Sequence, residues 1–184
     1  LEETGIPFTG CDSETLVITS SKTLTKSLLE AHKLPTPAWF NLAEALKQKE
    51  TLPFPLIIKH RTEHASYGMD HASVVFSANE LKNAVSRMTK TEIESNFLES
   101  YIDGREFNIS VIQTDNGPVV LPYAEILFDA YDTNRVRIVD YKAKWDDSSF
   151  EYSNTPRTFT FSSEDNTLLE KLKRISISTW NLFN

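Results

Sequence analysis

The sequence predicts an α+β protein made of two lobes. In the first half of the chain, amphipathic helical segments alternate with short apolar strands. In the second half, strand segments separated by turn residues continue until a long helical pattern near the C-terminus. Hydrophobic residues make up 40% of the 184 positions, which is enough for a buried core. We expect the first lobe over residues 1–93 and the second lobe over residues 94–184.

The first predicted helix, Ser20–His32, places its leucines on one face, and Ser20 or Ser21 can cap its start. Prolines shortly after His32 end this helix. The remaining elements of the first lobe are expected in this order: strand Ala38–Phe40, a helix from the cap Asn41 to about Lys49, strand Leu56–Lys59, polar loop Arg61–Asp70, strand Ser73–Phe76, and a helix from the capping box Ser77/Glu80 to about Lys90.

The second lobe is expected to be rich in strands and hairpins. An Asp103-Gly104 turn and an Asp115-Asn116-Gly117 hairpin separate the first of these strands. The predicted elements are strands Phe97–Tyr101, Glu106–Thr114, Val119–Leu121, Glu125–Phe128 and Arg137–Tyr141, then polar loop Trp145–Pro156 and helix Asp165–Phe183, which Ser162 and Asp165 can cap.

Composition excludes several classes of protein. A net charge of -7 with no long basic run argues against nucleic-acid binding. No apolar run reaches the roughly 20 residues of a membrane span, and no signal peptide is visible. The single cysteine, Cys11, suits a reducing compartment, so we expect a cytoplasmic protein. The first residue is Leu1, and the chain stops within a helical pattern, so we expect part of a larger protein.

Two segments indicate a nucleotide site. Strand Phe54–His60 delivers Lys59, whose ammonium group suits a phosphate, and segment Phe97–Phe107 carries Glu99 and Glu106 around a glycine turn. A carboxylate can accept ribose hydroxyls, and the backbone of Ser100 and Ile102 can hold an adenine ring. A strand-end lysine in solvent and two solvated glutamates remain the alternatives.

Two further lysines fit the same site. Lys22 lies in the first turn of its helix, where a cation is slightly unfavourable unless an anion is nearby. Lys144 alternates with apolar residues, which also suits an amphipathic edge strand. Neither the four histidines nor the segment 164–166 has the arrangement of a metal site, and segment 164–166 fits a helix cap.

The chain resembles the ATP-grasp domain of D-alanine–D-alanine ligases. Six stretches occur in the family's order and together cover most of the chain: Gly5–Gly10, Ser21–Trp39, Phe54–Gly68, Phe97–Ile112, Leu121–Ile126 and Asp140–Trp145. The resemblance implies two α+β lobes with a nucleotide cleft between them. It also implies that the family's N-terminal domain and the metal-binding strands of the second lobe are absent from this sequence.

The resemblance assigns roles to individual residues. Lys22 and Lys59 would contact ATP phosphates from the first lobe, Lys144 would reach them from the second, and Ser66 would belong to a flap over them. Glu99 would lie at the adenine end with backbone of Ser100 and Ile102, and Glu106 would hold the ribose. The lysine and the carboxylates would form opposite walls of the cleft. Lys144 and Trp145 are the candidate catalytic residues, with Trp145 on the substrate side.

Two substitutions distinguish the chain from the family pattern. The glycine-serine-serine flap is replaced by His64, Ala65 and Ser66, and Trp145 replaces the usual tyrosine. The resemblance implies that both positions lie near the amino-acid substrate, so the donor and acceptor stay undefined. The resemblance implies ATP and Mg²⁺ as cofactors, with the Mg²⁺ ligands outside this chain, and a possible homodimer of the full-length protein.

The resulting hypothesis is an ATP-dependent carboxylate–amine ligase that acts through an acylphosphate on small-molecule substrates. The 184-residue chain by itself is expected to be inactive, because the metal ligands are missing. One alternative is a nucleotide-binding or regulatory module without catalysis. Another is a plain α+β interaction domain.

Overall fold

The computed structural model describes residues 1–183. The helices of the first half are α1 Ser13–Ser20, α2 Lys22–Ala31, α3 Leu42–Ala45, α4 Ala78–Val85 and α5 Lys90–Ser95. Its strands are β1 Trp39–Asn41, β2 Leu56–His60, β3 Val74–Val75 and β4 Asn96–Ser100. Single 3-10 turns occupy Glu2–Thr4, Lys49–Thr51 and His71–Ser73.

The second half has short strands and ends in a long helix. Its strands are β5 Glu106–Asn108, β6 Val111–Thr114, β7 Gly117–Val120, β8 Ala124–Ile126 and β9 Arg157–Thr158. Its helices are α6 Tyr141–Trp145, α7 Phe150–Ser153 and α8 Asn166–Phe183, and a 3-10 turn at Ser163–Asp165 precedes α8. Within residues 1–183, no helix is both long and apolar enough to cross a membrane.

The larger sheet has the strand order β1-β4-β2-β3, and every neighbouring pair is antiparallel. Lys59 of β2 lies opposite Phe97 of β4, and Ile57 lies opposite Glu99. Because successive side chains on a strand point to opposite faces, these four residues share one face of the sheet. This face carries the charged residues of the candidate site.

The opposite face of this sheet forms the main core. Leu56, Ile58 and Leu98 pack there against Leu42 from α3 and Leu81 from α4. Four of these five side chains have no exposed surface, and Ile58 is 6% exposed. Burial of an aliphatic side chain stabilises a fold by about 1.5–3 kcal/mol. This core therefore fixes the sheet that carries the site.

A smaller cluster joins the two halves of the molecule. Ile57 and Val74, on the charged face, pack against Ile138 from the segment before α6, and all three are buried. The second half itself holds a three-stranded sheet, β5-β8-β9, and a hairpin of β6 and β7. Helix α8 packs on this hairpin, and Tyr123 Oη donates to the carbonyl of Leu169 at 3.1 Å.

The predicted α+β class is confirmed, and most helices and strands lie where the sequence predicts them. Ser21, Asn41 and Ser77 cap their helices as expected: each side chain accepts the backbone N–H three residues on. The capping box of Ser162 and Asp165 is also present. Helix α1 was not predicted, because its apolar residues are not grouped on one face.

Four predicted elements differ in the structure. The helix expected to reach about Lys90 ends at Val85 as α4, and a separate helix, α5, begins at Lys90 behind a second capping box of Thr89 and Glu92. The predicted strand Glu106–Thr114 is interrupted between β5 and β6. The polar loop Trp145–Pro156 contains helix α7. The predicted strand Arg137–Tyr141 is wrong: residues 137–140 are a loop and Tyr141 begins α6.

Hydrogen bonds to side chains explain why residues 137–140 form a loop and not a strand. The Asp140 carboxylate accepts the Ala143 backbone N–H at 2.9 Å, which caps the helix. Backbone groups of Arg137 bond to the Tyr101 hydroxyl instead of to a neighbouring strand. The tyrosine hydroxyl therefore satisfies backbone groups of Arg137 that a sheet would otherwise pair, and the Asp140 cap begins α6 at Tyr141.

Strand β4 also lies elsewhere than expected. The sequence places it at the start of the second lobe, but it pairs with β1 and β2 in the middle of the first sheet. We therefore propose a boundary between the lobes after Ser100 instead of near Glu94.

Candidate functional site

A cavity of about 380 Å³ lies between the four-stranded sheet and the second half of the chain. Five residues proposed from the sequence line this cavity: Lys22, Lys59, Ser66, Glu106 and Lys144. The remainder of its lining includes the side chains of Ile57 and Ile138, which are 4% and 7% exposed. The cavity thus combines three ammonium groups with an apolar patch.

Two lysines reach the cavity from the first half. Lys59 extends from the end of β2, and Lys22 is the first residue of α2. The Lys22 backbone N–H donates to the carbonyl of Arg61 at 2.9 Å, and its ammonium donates to the carbonyl of Glu63. Burial, followed by repulsion from the Lys59 charge, lowers the pKa of Lys22. An anion bound here would relieve that repulsion.

The loop of residues 61–70, which we call the flap, covers one side of the cavity. At its start, His60 Nδ1 accepts backbone N–H groups from Thr62 at 3.2 Å and Glu63 at 3.0 Å. Ala65 and Ser66 follow with φ values of 57° and 61°. The left-handed conformation costs an L-residue about 1–2 kcal/mol, so contacts from outside the flap must hold this shape.

Those contacts come from the second half of the chain. The Ser66 hydroxyl donates to the carbonyl of Val139 at 2.6 Å. The indole Nε1–H of Trp145 donates to the carbonyl of Ala65 at 3.0 Å. The Tyr141 backbone N–H donates to the carbonyl of Met69 at 3.1 Å. These three hydrogen bonds fasten the flap over the cavity.

Lys144 and Glu106 approach from the second half. Asp140, which is 1% exposed, caps α6 and so fixes the helix that presents Lys144. Glu106 lies at the start of β5. Burial raises the pKa of Glu106, while the charges of Lys144 and Lys59 partly oppose that rise. The Glu106 carboxylate is therefore within electrostatic reach of both ammonium groups.

Glu99 lies on the same wall as Lys59, not on the opposite wall that the sequence analysis expected. Its Oε1 is 3.3 Å from Lys59 Nζ, and its Oε2 is 3.4 Å from Lys26 Nζ. The Glu99 side chain is only 13% exposed. Both of its oxygens thus already have cationic partners on the first half of the chain.

The backbone positions proposed for adenine lie apart from the cavity lining that the described residues form. The Ser100 N–H already donates to the carbonyl of Ala38, the residue before β1, at 2.8 Å. Ile102 is 66% exposed beyond the end of β4. Their assignment to the base stays a prediction.

Lys26 is the residue of this site that the sequence analysis missed. Only 6% of it is exposed, and it pairs with Glu99. Lys26 follows Lys22 by four residues, which places both side chains on one face of α2. This spacing is the feature of the sequence that indicates a place for Lys26 beside the site. Apolar periodicity gave no reason to expect a buried lysine.

A second cavity of about 360 Å³ adjoins the first, and Glu106, Val139 and Lys144 line both of them. Trp145, Asn108 and Arg157 also line it. Trp145 is 62% exposed. The side chains here suit small polar molecules.

Within residues 1–183, no group of three or more His, Cys, Asp or Glu side chains is arranged to hold a metal ion. The proposal that Mg²⁺ ligands lie outside this sequence stays a prediction.

Residues 28–182 match the model of the D-ala D-ala ligase C-terminus family. A D-alanine–D-alanine ligase from Carboxydothermus hydrogenoformans is 32% identical over 167 residues, which covers 85% of this chain and 50% of that protein. The chain thus spans about half the length of the curated relatives it matches.

Two crystal structures of D-alanine–D-alanine ligase from Bacillus anthracis show the same fold. The first has a TM-score of 0.67 at 23% identity and covers 99% of this chain and 54% of that one. The second, described as complexed with ATP, has a TM-score of 0.62 at 21% identity and covers 99% and 52%. The family match, the relative's identity and the two-lobed fold together place this chain in the D-alanine–D-alanine ligase family, as an ATP-grasp domain.

Proposed function

We propose that the cavity between the two lobes binds ATP. Lys22, Lys59 and Lys144 hold the phosphates, and Glu106 accepts the ribose hydroxyls. The observation that carries this proposal is the convergence of three ammonium groups, from two separate parts of the chain, on one cavity. The lowered pKa of Lys22 supports it, because crowded cations favour an anionic ligand. The ATP complex of the Bacillus anthracis relative supports it as well.

The adenine ring has an apolar surface available in the same cavity. Ile57 comes from the first half of the chain and Ile138 from the second, and the two belong to one buried cluster. Apolar side chains of this kind suit the faces of a purine, while a few polar groups orient it. We place the base near this patch.

For the protein that contains these residues, we propose ligase activity. A substrate carboxylate oxygen attacks the γ-phosphorus of ATP, the bond to the β–γ bridging oxygen breaks, and ADP leaves with its electron pair. An amine then attacks the resulting acylphosphate, forms the amide bond, loses a proton and expels inorganic phosphate. The lysines stabilise the transferring phosphoryl group by neutralising its charge, and the closed flap positions it. Mg²⁺, when bound, would add charge neutralisation at the phosphates.

The second cavity is the proposed place for the small-molecule substrates. Arg157 provides a cation for a carboxylate, and Lys144 lies at the junction with the ATP cavity. Trp145 has no hydroxyl group to offer a substrate, and its Nε1–H is used on the flap. We therefore assign Trp145 to holding the flap. Cytoplasmic location and a homodimer of the full-length protein stay proposals.

Calorimetric titration with ATP tests the binding proposal on wild type, Lys59→Ala and the matched control Lys82→Ala, whose lysine is exposed on α4. We expect loss of ATP binding in Lys59→Ala and unchanged affinity in Lys82→Ala. Equal affinity in all three proteins would contradict the proposal.

A second experiment separates a ligase from a nucleotide-binding or regulatory module. The release of ADP by the intact parent protein is measured in the presence of candidate carboxylates and amines. A ligase releases ADP and phosphate only when both substrates are present. A nucleotide-binding or regulatory module retains ATP binding and releases neither. Intact protein that shows no ATP-dependent change in melting temperature would favour an interaction domain.

A further inference from the structure

His60, the last residue of β2, holds the start of the flap. Its Nδ1 accepts the backbone N–H groups of Thr62 at 3.2 Å and Glu63 at 3.0 Å. A ring nitrogen that accepts hydrogen bonds carries no proton, so this imidazole is neutral and its proton lies on Nε2. One side chain therefore fixes two consecutive backbone groups at the point where the chain leaves the sheet.

Residues 61–63, which we call the flap turn, hold Lys22. The Arg61 carbonyl accepts the Lys22 backbone N–H at 2.9 Å, and the Glu63 carbonyl accepts a hydrogen bond from the Lys22 ammonium group. The Arg61 N–H donates to the carbonyl of Ser95 at 2.9 Å, so the same turn is also bonded to the end of α5. An ammonium group has three N–H donors, and the bond to Glu63 leaves the others for a phosphate.

From these contacts we infer that His60 is a positioning residue for ATP binding. Its neutral imidazole shapes the flap turn, the turn places the Glu63 carbonyl, and this carbonyl directs the Lys22 ammonium group into the cavity. The affinity for ATP therefore depends on whether the imidazole carries an extra proton. The inference rests on the proposed ATP function.

Protonation reverses the role of Nδ1. Histidine is the side chain whose charge ordinarily changes between about pH 8 and pH 5, and an Nδ1–H group would point at two backbone N–H donors. It can donate instead to the Thr62 hydroxyl, whose oxygen is 3.5 Å from Nδ1. The backbone N–H groups of Thr62 and Glu63 then lose their acceptor. The neutral imidazole alone keeps the turn that holds Lys22.

The charged groups around His60 have both signs. His60 lines the ATP cavity and also a cavity of about 440 Å³ on the other side of the flap. The charged residues and the second histidine that line these two cavities with it are Lys22, Lys59, Glu63, His64, Asp70 and Glu92. Arg61 follows His60 in the chain. The hydrogen bonds to Nδ1 are the contacts that neutral and charged imidazole cannot share.

A pH series with matched variants tests the inference. Calorimetry measures the affinities of ATP and adenosine for wild type, His60→Asn and His60→Phe from about pH 8 down to about pH 5. Asparagine places its Oδ1 where Nδ1 lies and accepts the same N–H groups without taking up a proton, whereas phenylalanine offers no acceptor. His32→Asn, at an exposed position that follows α2, is the control.

At pH 8 we expect wild type and His60→Asn to bind ATP equally, and His60→Phe to bind it about fivefold more weakly, the effect of roughly 1 kcal/mol. Toward pH 5, wild type and His32→Asn should lose about fivefold in ATP affinity relative to His60→Asn. This comparison removes the titration of ATP itself, because every protein meets the same nucleotide. Adenosine should bind all four proteins equally, since it has no phosphate for Lys22.

Circular dichroism checks folding, and the series extends to the lowest pH at which wild type and His60→Asn are both folded. The inference would be overturned by an equal loss of ATP affinity in wild type and His60→Asn, or by full ATP affinity in His60→Phe. Equal losses of ATP and adenosine in His60→Phe would also overturn it, because they indicate a packing defect. If His60→Phe does not fold, the pH comparison of wild type with His60→Asn still decides the matter. Failure of wild type to bind ATP at any pH would instead refute the proposed function, and the inference with it.

Discussion

Lys59 Nζ lies 3.3 Å from Glu99 Oε1, and the two residues belong to neighbouring strands of one sheet. The proposed site therefore carries its own counter-charge on the lysine wall. Glu106, in contrast, reaches the cavity from the second lobe. The two glutamates that look equivalent in the sequence thus lie on different parts of the molecule: Glu99 pairs with Lys59 on the four-stranded sheet, and Glu106 lies in the second half of the chain.

Replacing Trp145 should loosen the flap. Trp145→Phe keeps an aromatic ring but loses the 3.0 Å hydrogen bond to the Ala65 carbonyl. Such a bond is worth about 1 kcal/mol, and the left-handed residues Ala65 and Ser66 favour relaxation. We expect amide hydrogen exchange at Tyr67 and Met69 to accelerate about fivefold, the effect of roughly 1 kcal/mol on a local opening.

The matched control for the flap experiment is Trp39→Phe. Trp39 packs edge-on against Phe97 in the four-stranded sheet, and it takes part in none of the flap hydrogen bonds described above. Its replacement should leave exchange at Tyr67 and Met69 unchanged. Equal exchange rates in Trp145→Phe and wild type would show that the indole bond does not hold the flap.

Arg105 should be a main stabilising residue of the second lobe. Its guanidinium donates to both oxygens of Glu125, at 2.6 and 2.7 Å, and to Asp165 at 2.5 Å. Glu125 is 6% exposed, so Arg105→Met would leave a buried carboxylate without its partner. We expect a loss of about 2–3 kcal/mol in the free energy of unfolding, measured by denaturant titration.

An exposed ion pair provides the comparison for Arg105. Lys47 and Glu44 are 2.9 Å apart, and their side chains are 70% and 66% exposed. Lys47→Met should therefore change stability by less than about 0.5 kcal/mol. A loss of similar size in the two variants would mean that burial of Glu125 does not govern the strength of the Arg105 interaction.

Glu106 should make stability depend on pH. Burial raises its pKa above the ordinary value of 4.5, so the folded state binds this proton more readily than the unfolded state. Its ionisation therefore costs stability as pH rises from 4.5 through the raised pKa. Glu106→Gln removes that cost, so the variant should melt higher than wild type at pH 7, by roughly 2–4 °C if the relief is near 1 kcal/mol.

The sign of the Glu106 effect can be checked at low pH. Below 4.5 the carboxyl is protonated in both states, so the difference in melting temperature between Glu106→Gln and wild type should disappear. Glu94→Gln, at an exposed side chain paired with Lys90, should show no such pH dependence. A variant that melts lower than wild type at pH 7 would contradict the assignment of burial as the dominant cause.

Local sequence patterns predicted the elements that local forces govern. The caps at Ser21, Asn41 and Ser77 each depend on residues within one turn, and all three helices begin where they were expected. Lys59 and Glu106 were also recognisable, because each ends or begins a short strand beside a turn.

The contacts that sequence patterns could not predict are set by strand order. Lys26 and Glu99 are 73 positions apart and meet only because β4 is inserted between β1 and β2. Residues 137–140 have the composition of a strand, yet the Tyr101 hydroxyl bonds the backbone groups of Arg137 and the Ser66 hydroxyl bonds the Val139 carbonyl. In both cases a tertiary partner decides the outcome.

The central claim is that the phosphates of ATP lie on Lys22, Lys59 and Lys144. The protein is labelled with an amine-reactive reagent with and without ATP. Mass spectrometry then measures how accessible each lysine is. We expect ATP to protect all three lysines, adenosine to protect them less, and the exposed Lys82 to react equally in every sample. Unchanged reactivity of the three lysines at saturating ATP would contradict it.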